Sequence, residues 1–154
     1  MIWQASHINK QNYTPDWVSL PLNELTDVQW ESLCDGCGKC CMVKLQDEET
    51  DKVHYTNVAC RLFDEGKCQC KDYQHRTQEV PECIALTLER AHEFAWLPST
   101  CAYRLRYESK PLPQWHPLVA GNAETMHQLN MSVQNKTIPL EGVEVLEHHL
   151  VSWS

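Results

Sequence analysis

The chain has 154 residues, 42% hydrophobic and 8% aromatic, with a formal charge of −8 from 13 basic and 21 acidic side chains. That length suits one domain with a modest core, and scattered cations among excess acids argue against a phosphate-binding surface, so nucleic acid is not an expected partner. Residues 1–13 are polar and lack the apolar run of a signal peptide, and no stretch is long enough to span a bilayer, so a cytoplasmic protein without membrane association is expected.

In chain order, residues 1–21 read as an N-terminal arm in which Pro15 and Pro21 frame Trp17, and residues 22–154 as a cysteine-rich metal-binding domain. Thr26 and Gln29 form a capping-box signal beside an apolar stripe of Leu25, Val28, Trp30 and Leu33, so a short helix is expected to deliver the chain to Cys34. The β-prone runs 43–45 and 53–55 flank the polar segment 47–51 and predict a hairpin with an acidic tip. From 59 to 83 the chain is turn-rich and offers little apolar surface to offset chain entropy, so metal is expected to order it. Thr87 caps a predicted helix carrying Leu88, Ala91, Phe94 and Ala95 that stops near Pro98. Ser99 or Thr100 starts another through Tyr103, Leu105 and Tyr107, with Cys101 in its first turn. Pro111, Pro113 and Pro117 impose an extended passage around Trp115, residues 127–140 alternate weakly, and 143–153 suit strand or helix. These elements predict an α+β fold: a small single domain of short helices and small antiparallel strands organised around a cysteine-rich metal site.

The chemistry is written most plainly in residues 34–41, Cys-Asp-Gly-Cys-Gly-Lys-Cys-Cys. Nine cysteines in a reducing compartment read as metal ligands or redox groups rather than disulfide partners, and an odd number fits a complete disulfide framework poorly. Cys34, Cys37 and Cys40 are three residues apart on a turn carrying Gly36 and Gly38, so their sulfurs can converge while backbone N–H groups stabilise anionic thiolate. One loop supplying three cysteines and a remote residue supplying a fourth is an iron–sulfur arrangement, whereas structural zinc more often takes two separated pairs. Cys41 diverges from Cys40 as a neighbouring residue, which assigns it to a second metal or to an adjoining wall. Cys60, Cys70 and Cys83 are the natural remote ligands. Cys68 and Cys101 are in reserve, and the Cys68–Cys70 spacing leaves one of that pair spare.

Residues 34–41, then Cys60 ahead of Leu62 and Phe63, then Gly66 and the stretch from Cys70 through Tyr73 and Arg76 to Cys83, resemble the CxxCxxCC family of zinc- or iron-chelating domains. The segments 33–41, 56–60, 97–98, 100–104 and 115–118 are similar to its YcgN-like bacterial subgroup, a resemblance covering residues 22–153. It implies Cys34, Cys37, Cys40, Cys41, Cys60, Cys70 and Cys83 as the family cysteines, with Tyr73 and Arg76 between the last two. The chain departs from the broader family in carrying Thr77 where proline is usual and in a longer spacing to Cys83. A lysine methylase of flagellin shares the cysteine motif, but no methyl-donor site is visible and that activity is not transferred.

Other polar candidates are weaker. Asp47, Glu48, Glu49 and Asp51 lack the spaced ligands of a calcium loop and read as a solvated tip. His54, His75, His116, His148 and His149 can complete a zinc site only singly, because consecutive histidines point apart. Arg61 and Arg76 are placed to donate to thiolates, and Trp30, Trp96, Trp115 and Trp153 to supply core or lid surface. Nucleotide-binding and hydrolase motifs are absent. The expected function is therefore metal binding, as an iron–sulfur cluster or zinc, in redox chemistry or metal handling. The alternative is a structural zinc module presenting a surface to an unidentified protein partner. A thiol–disulfide exchange enzyme is disfavoured by the lack of a βαβ pattern around any of the cysteine pairs. No substrate or reaction is legible.

Overall fold

Helix α1 (Asp27–Ser32) begins where the capping signal places it: the Thr26 hydroxyl accepts the Gln29 N–H at 3.2 Å and the Gln29 side chain accepts the Thr26 N–H at 3.0 Å. The stripe is narrower than expected. Leu33 is completely buried and Trp30 and Leu25 pack against the core, but Val28 is 77% exposed, because five residues before Leu33 it points to nearly the opposite side of the helix. These positions belong to a computed structural model that describes residues 14–153; residues 1–13 of the expected arm lie outside them. Val18, on the 3-10 turn Asp16–Ser19, is buried in the main core.

The predicted hairpin forms from β1 (Met42–Gln46) and β2 (Val53–Ala59), antiparallel and with an irregularity in register between Met42 and Lys44. At its acidic tip Asp47 accepts the Glu49 and Thr50 N–H groups at 2.8 and 2.9 Å, an Asx turn in which the carboxylate organises backbone rather than a cation. Strand β2 is the hub of the sheet. Its other edge pairs with two short strands from the C-terminal part, β5 (Ile138–Pro139), parallel, and β6 (Leu150–Val151), antiparallel. The tail is thus both of the alternatives open from sequence, a 3-10 turn at Leu146–His149 leading into β6. A two-stranded sheet of β3 (Phe63–Asp64) and β4 (Gln69–Cys70) organises the turn-rich segment, which continues into α2 (Arg76–Glu79).

The segment predicted as a Thr87-capped helix is a 3-10 helix, Leu88–Trp96, without a side-chain cap from Thr87. Its Arg90–Glu93 ion pair has the i,i+3 spacing that eclipses in this tighter helix. Helix α3 (Ala102–Tyr107) starts one residue later than expected, with Cys101 as its N-cap rather than in its first turn. Two short helices follow, α4 (Pro117–Ala120), with proline at its first position, and α5 (Glu124–Gln128).

The main core gathers Val18, Leu33, Ala91, Phe94, Leu97, Ala102, Tyr103 and Leu112. Trp30 joins it aromatically, 5.1 Å from Tyr103 and 6.4 Å from Phe94 between ring centroids. Its indole N–H donates to the Leu86 carbonyl at 2.9 Å, and Tyr103 Oη donates to the Trp30 carbonyl at 2.8 Å. A second cluster gathers Met42, Ala59, Phe63, Cys68 and Val133, and a third Cys37, Trp115 and Met126. The domain is α+β, built from short helices and small sheets, and its apolar clusters meet around residues 34–41.

Candidate metal centre

The cysteine loop leaves α1 at buried Leu33, and its path is fixed by backbone bonds that the sequence makes available. Asp35 Oδ1 accepts the Cys37 N–H at 2.9 Å, turning the chain between the first two cysteines. Gly36 and Gly38 both take a φ of +79°, the left-handed region that glycine enters without steric cost. A Cβ on Gly38 would lie 2.7 Å from Val133 Cγ2 and 3.0 Å from Phe63, so the loop is seated directly on the second cluster. The Cys37 carbonyl accepts the Val133 N–H at 2.9 Å, and the Cys41 carbonyl accepts the Cys60 N–H at 2.8 Å. The loop is therefore stitched to the C-terminal part on one side and to the first remote cysteine on the other.

All nine cysteines are free thiols. Cys37 and Cys68 are buried, whereas Cys34 and Cys40 are exposed. Cys34 nevertheless has its thiol pushed up to about 12, by desolvation first and by the charges of Cys40 and Asp35 next. Burial raises Cys37 well above the usual thiol range, with Asp35 and Cys40 adding to it. Cys40 goes the other way, to about 7, because it accepts a hydrogen bond from Cys41 and lies near the Lys44 ammonium, which outweigh its burial. Cys41, the donor of that bond, is correspondingly raised. Lys44 is anchored there by donating to the Cys40 carbonyl at 2.8 Å.

The remote cysteines come from two stretches of chain, Cys101 at the start of α3 and Cys60, Cys70 and Cys83 in residues 60–83. Lys39 Nζ meets the Thr100 hydroxyl at 3.2 Å, tying the loop to the start of α3, and Cys37 is raised in part by the Cys101 charge. Cys101 itself is pushed up to about 12 by desolvation, which the backbone N–H groups of Arg104 and Tyr103 partly offset. Cys60 and Cys70 raise Cys41, and Cys40, Cys60 and Cys70 raise Cys83, whose shift is led by burial. Backbone bonds carry this grouping, since Cys60 bonds to Cys41, Phe63 bonds to Cys60 at 2.9 Å, and Phe63 pairs with Cys70 across the small sheet. Cys68 is 4% exposed within the second cluster, and its Sγ lies 3.5 Å from the Cys37 carbonyl, to which it can donate.

The arm carrying Cys70 to Cys83 is strapped down by the residues between them. Tyr73 Oη donates to Glu31 Oε2 at 2.7 Å, and the Arg76 guanidinium stacks on the Tyr73 ring at 3.8 Å. Arg61, beside Cys60, donates to the Glu79 carbonyl and to its carboxylate at 3.3 Å. The two arginines thus bind the arm together rather than hydrogen-bonding to thiols, although the Arg76 charge pulls Cys83 down against its burial.

The histidines are used elsewhere. His116 is completely buried, accepting the Leu118 N–H at Nδ1, 3.0 Å, and donating from Nε2 to the Leu33 carbonyl, 2.8 Å, so neither ring nitrogen is left for a metal. His75 pairs with Asp72 at 3.0 Å, and His148 and His149 line a shallow open cavity with Glu141, Gly142 and Glu144. Sequence reasoning passed over Asp35, whose buried carboxylate organises the loop, and the buried Lys39. An Asx turn was the available signal for Asp35, an aspartate two residues before the amide it accepts.

Among the described residues no three Cys, His, Asp or Glu side chains are gathered closely enough to hold an ion. The donor chemistry of the cysteines fits zinc or iron: soft sulfur ligands, backbone N–H groups on the loop, and cations at its border. Among the described residues no helix is long and apolar enough to cross a membrane.

Comparison with known proteins agrees with this donor chemistry. Residues 33–102 match the CxxCxxCC family model, described as "Putative zinc- or iron-chelating domain". A UPF0260 protein of Rhizorhabdus wittichii is 55% identical over 137 residues, 89% of this chain and 94% of the relative. One from Shewanella frigidimarina is 50% identical over 140 residues, 91% and 95% of the two chains. The UPF0260 protein YcgN of Salmonella paratyphi A is 48% identical over 144 residues, 92% and 97%. No solved structure matches the chain.

Proposed function

We propose that this chain, which belongs to the UPF0260 family of CxxCxxCC proteins, chelates zinc or iron through two groups of thiolates that share the loop at residues 34–41. The first group is Cys34, Cys37 and Cys40 with Cys101 as the remote ligand; the second is Cys41 with Cys60, Cys70 and Cys83. What supports this reading is the backbone: the Cys60 N–H bonds to the Cys41 carbonyl and Phe63, bonded to Cys60, pairs with Cys70, while Lys39 ties the loop to Thr100, next to Cys101. Cys68 is a core thiol outside both groups.

Bound iron–sulfur would supply one-electron redox chemistry and bound zinc a structural crosslink. The protein's own contribution is the same in either case. Gly36 and Gly38 let the loop curl, Lys44 offsets thiolate charge beside Cys40, and the Tyr73–Arg76 strap holds the Cys83 arm against α1. Anaerobic purification followed by elemental analysis and a visible spectrum tests the reading. Stoichiometric iron with thiolate charge-transfer absorption supports a redox or metal-handling role. About two zinc ions on a colourless chain support the structural module that serves a protein partner. Absence of stoichiometric metal overturns both.

A further inference from the structure

Arg106, in the last turn of α3, is a half-buried cation with no counter-charge. Its Nη2 donates to the Leu20 carbonyl at 2.7 Å, tying the chain ahead of α1 to α3, while its Nε is buried with no hydrogen-bond partner among the described residues. No carboxylate pairs with it among those residues, and residues 1–13 contain no aspartate or glutamate. The nearby Glu108 is held elsewhere, by Arg104 at 3.2 Å and Lys110 at 3.0 Å. A guanidinium carries five N–H donors in a fixed fork, and removing that charge from water without a partner is costly.

Arg106 lines an open cavity of about 480 Å³, a size that suits a small organic ligand. No acidic side chain lines it. The other polar residues of the wall are Ser19, Asn23 and Ser109, and apolar surface comes from Leu88 and Tyr107, 38% and 50% exposed. Ser109 has a φ of +59°, the left-handed conformation that glycine usually takes past a helix end, so the backbone bears a cost that leaves a hydroxyl on this residue. The Ser109 and Lys110 N–H groups donate to the Arg106 and Leu105 carbonyls at 3.1 and 2.8 Å, so these helix-end carbonyls are already satisfied.

We infer that this cavity binds an organic carboxylate with a short apolar body. The Arg106 guanidinium takes the carboxylate, Ser19, Asn23 and Ser109 supply hydroxyl and amide donors, and Leu88 and Tyr107 cover the apolar part. One cation matches one negative charge, and the apolar wall makes an inorganic anion a poorer fit. A free apolar acid and the C-terminus of a peptide ending in an apolar residue both carry this chemistry. The site is independent of the metal reading.

The test titrates the full chain, as purified and nitrogen-labelled, with N-acetylleucine and with N-acetylleucinamide, which has the same body without the charge. N-acetylleucine is expected to shift the backbone amides of Asn23, Leu88, Tyr107 and Ser109 saturably. The amide is expected to bind about 10-fold or more weakly, the discrimination that a charge-assisted hydrogen bond supplies. Arg106→Gln removes the binding. Leu88→Glu decides the matter if the glutamine variant does not fold, because it leaves the Arg106 tie to Leu20 in place and sets a carboxylate in the cavity, lowering affinity about 10-fold or more. Acetyl-Ala-Ala-Leu with a free C-terminus separates the two sources: tighter binding than N-acetylleucine assigns the site to a peptide end, and equal or weaker binding to a free acid. Equal affinity for N-acetylleucine and its amide, unchanged affinity in a folded Arg106→Gln or in Leu88→Glu, or no saturable shift at these residues overturns the inference.

Discussion

The Nε2–H of His116 donates to the carbonyl of Leu33, the residue immediately before the first cysteine, at 2.8 Å, and both residues are completely buried. Because Nδ1 accepts the Leu118 N–H, the imidazole is a neutral bridge from the start of α4 to the end of α1, fixing where the cysteine loop begins. His116→Ala leaves a buried carbonyl and a buried N–H unpaired and opens a cavity. A loss of about 2–5 kcal/mol is expected in chemical denaturation. Metal stoichiometry per folded molecule stays that of the wild type, since the ring has no nitrogen free to ligate.

The two loop glycines separate backbone conformation from packing. Both have a φ of +79°, but a Cβ at Gly36 meets nothing within 4 Å while one at Gly38 collides with Val133 and Phe63. Gly36→Ala is expected to cost about 1–2 kcal/mol, the left-handed penalty alone. Gly38→Ala adds an overpacking cost of about 1–3 kcal/mol and displaces the loop from its seat. Thermal unfolding of the metal-free proteins ranks the two, and only the Gly38 variant loses metal-binding capacity.

The hairpin tip carries a pH response independent of metal. Hydrogen bonds from the Thr50 and Glu49 N–H groups hold Asp47 below its usual value of 3.8. A carboxylate depressed in the folded state contributes stability that is complete above its unfolded value and is lost as pH falls through the folded one. Amide exchange at Glu49 and Thr50 should therefore accelerate as pH is lowered below about 3.8, relative to other turns. In Asp47→Asn, whose amide oxygen accepts without titrating, that acceleration disappears.

How much of this was legible in sequence depended on how local the cause was. The capping box at Thr26 and Gln29, the hairpin and its acidic tip, and the glycine-punctuated loop are set by residues within a few positions of one another, and each appears where the pattern put it. The 3-10 geometry of Leu88–Trp96 and the pairing of β5 and β6 with β2 depend on partners distant in the chain. Val28 was misplaced because a six-residue helix buries a narrower face than an apolar count suggests. His116 had a local signal, a histidine capping a helix with proline at its first position, but its bond to Leu33 spans 83 residues. At the metal site the sequence supplied the ligand types. The backbone bond from Cys60 to Cys41 and the tie from Lys39 to Thr100, next to Cys101, required the fold.

The cysteines themselves should separate by substitution. Cys68→Ala removes a sulfur from an apolar cluster and is expected to cost about 1–3 kcal/mol with metal content unchanged. Cys41→Ser and Cys60→Ser each remove a proposed ligand of the second group and should lower metal content by one centre while sparing the first. Elemental analysis of the purified variants against wild type reads this directly, and equal metal content in Cys60→Ser would return Cys60 to the status of a core thiol.

X-ray absorption at the metal edge of the anaerobically purified wild-type protein tests the central claim most directly. The account predicts a first shell dominated by sulfur at about 2.3 Å, whichever of zinc or iron is bound. A shell made only of nitrogen and oxygen, or a protein that binds no metal, contradicts it.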